Sequence, residues 1–266
     1  MNYGFIGLGN MASAIIKGMC QSSVFPPDTI FGLNRSSDKT VKLASTYGIS
    51  ACDTTEQLVA ASDVIILAVK PNMLESVLQT MAPLIREQQL IISIAAGKPL
   101  SFYAQFLPNN TVIRVMPNIN AMVGASTSCF SAPARATDAQ KQLVRTLFST
   151  VGSIVELPEE QFAIFTATGC SSPAFTYMYI DALARAGVRD GLPKKVALEI
   201  AASSVLGSAK MVLESIGEQH PYDLVDQVCS PGGTTIEGVM TLQDQHFEHT
   251  IHEAIRAVMK KDAALK

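Results

Sequence analysis

The sequence predicts an α/β chain, a doubly wound parallel sheet followed by an all-α C-terminal domain. Three observations carry this expectation. Short β-branched runs alternate with amphipathic stretches over residues 1–120, Val64–Val69 is an unbroken aliphatic run, and β-rich runs cease beyond Pro158. Strands are expected at Tyr3–Ile6, Ile30–Leu33, Val64–Val69, Leu90–Ile94 and Val112–Val115, with a last one at Ser153–Glu156. The run Val64–Val69 lacks polar alternation, as a central strand covered on both faces should. Between the strands lie helical stretches at Met11–Cys20, Asp38–Tyr47, Thr55–Ala60 and Met73–Leu84, each long enough for a right-handed crossover. Two domains follow, 1–158 and 159–266.

In the second domain Pro173 opens a helix that should end near Gly187, and Pro193 opens one that should end near Ser215. On the latter, Val196, Ile200, Val205, Leu206, Met211 and Val212 wrap more than one face, with alanines and Gly207 between them. A helix apolar nearly all round has to be covered from several sides. So short a domain cannot supply that cover alone, which predicts a helical interface with a second copy of the chain.

Composition points the same way. Of 266 residues 48% are hydrophobic and only 16% charged, against roughly 25% charged in an average soluble domain. With a mean hydropathy of +0.25, much of the surface should face protein. A net charge of −3 gives no general attraction to nucleic-acid phosphates or anionic membranes, leaving a small-molecule substrate as the expected partner. The longest aliphatic run, Val64–Val69, falls far short of the roughly 20 apolar residues that span a bilayer. Met1–Phe5 has no basic n-region, so a cytoplasmic location is expected. Cys20, Cys52, Cys129, Cys170 and Cys229 are scattered without a C-x-x-C pair, which suits reduced core thiols better than disulfides or a zinc site. His246, His249 and His252 recur every three residues, yet on a helix the outer two point about 120° apart, so no shared metal face is expected.

The chemistry starts at Gly7-Leu8-Gly9-Asn10-Met11-Ala12, a G-x-G-x-x-A sequence directly after the strand that ends at Ile6. This is the Rossmann-type arrangement. The first glycine makes the tight turn, the second bares the backbone for a pyrophosphate, and Ala12 lets helix and strand approach. The diphosphate would meet N–H groups at the positive end of the helix. The second strand ends in Asn34-Arg35-Ser36, with no carboxylate for a ribose hydroxyl. A guanidinium flanked by amide and hydroxyl suits a 2′-phosphate, which favours NADPH over NADH while leaving NADH possible. Three more stretches fall at carboxyl ends of strands, where open α/β sheets bind ligands: Ala68-Val69-Lys70-Pro71, Ala95-Ala96-Gly97 and Met116-Pro117-Asn118. Lys70 is expected at ribose or phosphate and Asn118 beside the nicotinamide. Near the C-terminus, Thr234-x-x-Glu237 has the form of a capping box, and the preceding Gly232-Gly233 leaves the helix entrance open to an anion.

In order and spacing these segments resemble pyrroline-5-carboxylate reductase over essentially the whole chain. The resemblance rests on Cys229-Ser230-Pro231-Gly232-Gly233-Thr234-Thr235, the Gly7–Ala12 turn, Ala68–Pro71 and Ser172-Pro173-Ala174, with Gly187-Val188, Gly191-Leu192-Pro193 and Gly207–Met211 in the helical part. It implies NAD(P)H-dependent reduction of a cyclic imine to L-proline. It also implies a homodimer through interlocked helical domains, often assembled into a ring of dimers. Carried over by position, Ser230, Gly232, Gly233, Thr234 and Thr235 would hold the substrate carboxylate, with the Thr235 hydroxyl on the ring nitrogen. Glu159 would lie near substrate and Gln227 near cofactor. Two stretches depart from the family pattern: Ile119-Asn120 stands where Thr-Pro is frequent, and the glycines before Pro173 are shifted. Among other readings, a 3-hydroxyacid dehydrogenase-like enzyme would use a lysine on the first long C-terminal helix, and residues 173–187 contain none. Another imine reductase and a non-catalytic NADP(H) sensor complete the alternatives.

Overall fold

The computed structural model describes residues 1–264. Strands and helices alternate as β1 (Tyr3–Ile6), α1 (Asn10–Gln21), β2 (Ile30–Leu33), α2 (Ser37–Tyr47), β3 (Ser50–Ala51), α3 (Thr55–Ala61), β4 (Val64–Leu67), α4 (Pro71–Met81), β5 (Leu90–Ser93), α5 (Leu100–Ala104), β6 (Val112–Met116), β7 (Ser126–Ser131), α6 (Asp138–Ser149) and β8 (Gly152–Glu156). One sheet runs β3-β2-β1-β4-β5-β6-β7-β8. Its strand order reverses around β1, which pairs with β2 on one side and β4 on the other, so a crevice opens at the carboxyl ends of β1 and β4.

Period-two alternation divides the aliphatic strands between two cores. Val64 and Ile66 face a cluster with Phe5, Ile15, Ile16 and Phe148, while Ile65 and Leu67 face Leu58, Leu74 and Leu78. Burial on both faces is why the run carries no polar residue.

Two strands were not expected. β3 has two residues, too few for a pattern. β7 is Ser-Thr-Ser-Cys-Phe-Ser, and its serines conceal a buried strand: Ser126 and Ser128 are buried with their hydroxyls 3.0 Å apart, and Ser126 Oγ accepts from the Asn118 N–H at 3.2 Å. β7 pairs antiparallel with β6, so the sheet is parallel except at that seam.

Beyond β8 come α7 (Phe162–Phe165), a π-helical turn at Thr166–Ser171, then α8 (Ser172–Arg189), α9 (Lys194–Glu214), α10 (Pro221–Val228), α11 (Thr234–Asp244) and α12 (Phe247–Ala263). The chain forms two compact units, Met1–Cys170 with the stretch from Met259 onward, and Ser171–Val258. This division falls later than the expected boundary at residue 158. The reason is packing: Phe162 and Phe165 sit with Cys129, Met116 and Cys170, which holds residues 159–170 to the sheet.

In that cluster burial pushes the Cys129 thiol up to about 12 and Cys170 up to about 11, from an ordinary 9.0; the neighbouring Cys170 adds to the shift of Cys129. Both groups are therefore protonated when folded, over a range where the unfolded chain has begun to lose their protons. Their contribution to stability is full below pH 9 and declines as pH rises from there toward 12. The urea midpoint should fall above pH 9, and Cys129→Ala should flatten that fall; an equally steep fall in the variant would exclude Cys129 as its source.

In the helical unit α8 and α9 pack through small residues, Ala184 against Ala197 and Ala201. Larger apolar side chains stay outside, among them Leu206 at 72% and Leu213 at 68% exposure. By length and composition α9 is apolar enough to cross a membrane, which counting uninterrupted aliphatic runs overlooked because serines and single charges interrupt it. The three histidines are not on one helix either: His246 has φ +56° in the turn before α12.

Candidate functional site

The glycine turn between β1 and α1 is built by backbone bonds. Gly7 N–H donates to the Leu33 carbonyl at 2.8 Å, and Ala68 N–H donates to the Ile6 carbonyl at 2.9 Å, so the ends of β1, β2 and β4 meet there. Gly7 has φ +94°, and a Cβ on it would stand 2.7 Å from the Ala68 carbonyl oxygen; only glycine fits. At Gly9 a Cβ would meet nothing within 4 Å, so the space over the helix entrance is open. Gly9 is the N-cap of α1 and no side chain caps the helix, leaving N–H groups of the first turn, from Asn10 to Ala12, for an anion. An open cradle over bare backbone, with Ala12 buried beneath it, fits a dinucleotide pyrophosphate.

Several expected contacts have other duties. Leu8 is buried in the core, and its N–H donates to Asn34 Oδ1 at 3.1 Å. Ile6 is buried too. Asn34 also donates from Nδ2 to the Ser36 carbonyl at 3.2 Å, so it braces the turn from the end of β2. Arg35 and Ser36 face solvent beside it. After β4, Ala68 and Val69 line the glycine turn, Lys70 is the exposed N-cap of α4, and Pro71 is its first residue. After β5, Ala95 is buried and Ala96 exposed.

Asn118, expected beside the nicotinamide, points inward. It is 4% exposed; Nδ2 donates to the Gly169 carbonyl at 2.8 Å, and Oδ1 accepts from Asn120 N–H at 3.1 Å and Thr127 N–H at 3.3 Å. A buried amide this fully engaged joins the end of β6 to β7 and the π-helical turn. Glu159 is similar. Its Oε1 accepts from Arg114 Nη1 and, at 2.8 Å, from Leu100 N–H at the start of α5. Glu159, expected near substrate, clamps the loop that follows Ala96. Arg114 escaped the sequence reading, although a cation in the middle of Val112-Ile113-Arg114-Val115-Met116 was its signal.

In the helical unit, Gly233 N–H donates to the Ser230 carbonyl at 2.9 Å, closing a turn between α10 and α11. A Cβ on Gly233 would stand 2.5 Å from Ser230 Oγ, so the serine hydroxyl lies over the helix entrance. The expected capping box does not form: α11 starts at Thr234 with Gly233 as N-cap and no side-chain cap, because the helix begins one residue earlier than that motif requires. The first-turn N–H groups and the exposed Thr234 and Thr235 side chains remain for a ligand. Gln227 donates from Nε2 to Gln219 Oε1 at 3.2 Å on the exposed face of α10.

Each of the two uncapped, glycine-led helix entrances is suited to an anion. The chain is 38% identical over 263 residues to pyrroline-5-carboxylate reductase of Escherichia coli K12, covering 98% of this chain and 97% of that one.

This chain belongs to the pyrroline-5-carboxylate reductase family.

The family's dimerisation model matches residues 159–265, and a model described as NADP oxidoreductase, coenzyme F420-dependent, matches residues 2–97. The structure of a pyrroline-5-carboxylate reductase from Coxiella burnetii aligns with a TM-score of 0.94 at 30% identity, covering 100% of this chain and 98% of that one. A Plasmodium falciparum pyrroline carboxylate reductase with NADP bound aligns at 0.87 and 28% identity, with coverage of 100% and 98%. Membership in the reductase family accounts for the apolar exterior of α8 and α9, since the chain self-associates through a dimerisation domain.

Proposed function

We propose that this chain reduces 1-pyrroline-5-carboxylate to L-proline with NADPH. The observation that carries the reading is the uncapped entrance of α11 behind Ser230 and Gly232–Gly233, in a chain alike along its whole length to reductases of that name. The first unit binds the dinucleotide and the helical unit binds the substrate.

When bound, the reduced nicotinamide supplies a hydride to the imine carbon. The protein's part is positioning. Ser230 Oγ and the first-turn N–H groups of Thr234 and Thr235 neutralise the substrate carboxylate beside Gly232 and Gly233, while the Thr235 hydroxyl orients the ring nitrogen. A cyclic imine can arrive protonated, so no strong acid is needed at that atom, in contrast to reduction of a carbonyl. On the cofactor side Gly7–Ala12 takes the pyrophosphate, Asn34–Ser36 the adenine ribose, and Ala68–Pro71 with Ala95 and Ala96 the rest of the dinucleotide. Loss of reduced-nicotinamide absorbance with 1-pyrroline-5-carboxylate, beside a 3-oxoacid control, tests the reading. Turnover of the oxoacid alone would replace it.

The exposed guanidinium of Arg35, with no carboxylate beside it at the end of β2, supports NADPH over NADH. Arg35→Ala should weaken NADPH about tenfold or more and NADH about twofold, from the loss of one charge-assisted phosphate contact; equal losses would end the assignment. The apolar exteriors of α8 and α9 support a homodimer, extended in a ring of dimers, and the free cysteines suit a cytoplasmic location. Sedimentation as a monomer at micromolar concentration would remove the dimer, and an export signal in the native gene product would remove the location.

A further inference from the structure

A cavity of about 600 Å³ lies within the first unit, beside Gly97 and lined by Lys98, Phe102, Arg114, Glu160 and Phe162 among others. Its size is within the range of about 300–1,000 Å³ typical of small-molecule sites. Arg114 is 6% exposed, and its guanidinium lies 4.5 Å from the Phe162 ring centroid. One nitrogen, Nη1, donates to Glu159; among the described residues no hydrogen bond is formed by Nη2 or Nε. A buried guanidinium with idle donors on a cavity wall is built for an acceptor that the protein does not provide. Lys98 adds a second cation, its Nζ 4.8 Å from the Phe102 ring centroid.

The charges on the wall decide the class of ligand. The same cavity is lined by three carboxylates, Glu159, Glu160 and Asp262. Glu159 is engaged with Arg114 and Leu100, and Asp262 has a partner of its own. A simple anion would meet these carboxylates, and a simple cation would meet Arg114 and Lys98. A zwitterion satisfies both signs, and Phe102, Phe162 and Met116 offer it an apolar wall.

We propose that this cavity binds a zwitterionic α-amino acid with an apolar side chain, its carboxylate on Arg114 and Lys98 and its ammonium toward Glu160. L-Proline belongs to this class. Choosing it as probe rests on the proposed function, whereas the charge pattern of the cavity does not.

Calorimetry on the full chain with L-proline, acetate and pyrrolidine tests the proposal, beside turnover of 1-pyrroline-5-carboxylate. L-Proline should bind at least tenfold more tightly than acetate or pyrrolidine. Lys98→Ala should weaken this binding about tenfold, and Ser101→Trp, at an exposed position lining the cavity, should abolish it. In both variants kcat/KM should stay within twofold of the parent. Acetate binding as tightly as L-proline, absence of L-proline binding, or L-proline binding unchanged in both variants would overturn the proposal. Normal turnover with unaffected L-proline binding refutes the cavity alone. Absent turnover with L-proline binding lost in Ser101→Trp refutes the proposed reaction and leaves the cavity standing.

Discussion

Thr235→Ala should lower turnover of 1-pyrroline-5-carboxylate about a hundredfold or more while leaving NADPH affinity within about threefold, the scale set by removing one transition-state hydrogen bond. Thr235 is the second residue of α11, exposed, and makes no capping bond. Its loss therefore removes a hydroxyl from the helix entrance without opening the helix, and alanine is a good helix former at that place. The charge that changes most during hydride transfer to a C=N bond is on nitrogen. In the proposed site a hydroxyl that holds the ring in one orientation would act on that atom, whereas dinucleotide affinity would rest on the glycine turn. Thr235→Ser keeps the oxygen and should recover most of the rate. Unchanged kcat in Thr235→Ala, measured at saturating NADPH, would exclude the role.

The second large effect is at the glycine turn, where Gly7 and Gly9, with Leu8 between them, should fail for different reasons. Gly7→Ala puts a methyl 2.7 Å from the Ala68 carbonyl oxygen at φ +94°, a conformation that costs a non-glycine residue about 1–3 kcal/mol before the clash is added. Its melting temperature and its NADPH affinity should fall together. Gly9→Ala faces open space at φ −72°, so the fold should be unaffected, yet the methyl occupies the approach of a pyrophosphate. NADPH affinity there should drop about tenfold or more at unchanged melting temperature, as expected when an anion is held off a helix N-terminus. Gly9→Ala binding NADPH as tightly as the parent would show that the pyrophosphate is elsewhere.

The two glycines also mark what could be read directly. Gly7 and Gly9 announce themselves because their requirement is local: a strand, a turn and a helix entrance occupy consecutive residues. The aliphatic strands were legible for the same reason, since burial on both faces leaves an unbroken run such as Val64–Leu67. β7 was not legible. Its buried serines are tolerable only because Ser126 meets Ser128 and the Asn118 N–H, partners that no local pattern names. Thr234 and Glu237 had the spacing of a capping box, but helix start is decided by the turn from Ser230 to Gly233, and the box is out of register by one residue.

Glu159, Asn118 and Arg114 make the contrast sharpest. Glu159 and Asn118, expected to touch ligand, make hydrogen bonds that bind the protein to itself; Arg114, which no expectation named, lines a cavity together with Glu159. Polar side chains of this sort have several possible partners, and the choice among them depends on which strands and turns are brought alongside.

By itself the chain of residues determined the alternation of strand and helix, the glycine turn with its open helix entrance, and a helical region too apolar to stand alone, because each follows from short-range periodicity or from one residue's backbone freedom. Only tertiary structure decided the antiparallel β7 seam, the place where the two units part, and the duties of Arg114, Asn118 and Glu159. Those outcomes depend on hydrogen bonds and packing between residues as far as 59 positions apart, contacts that exist only once the sheet has assembled.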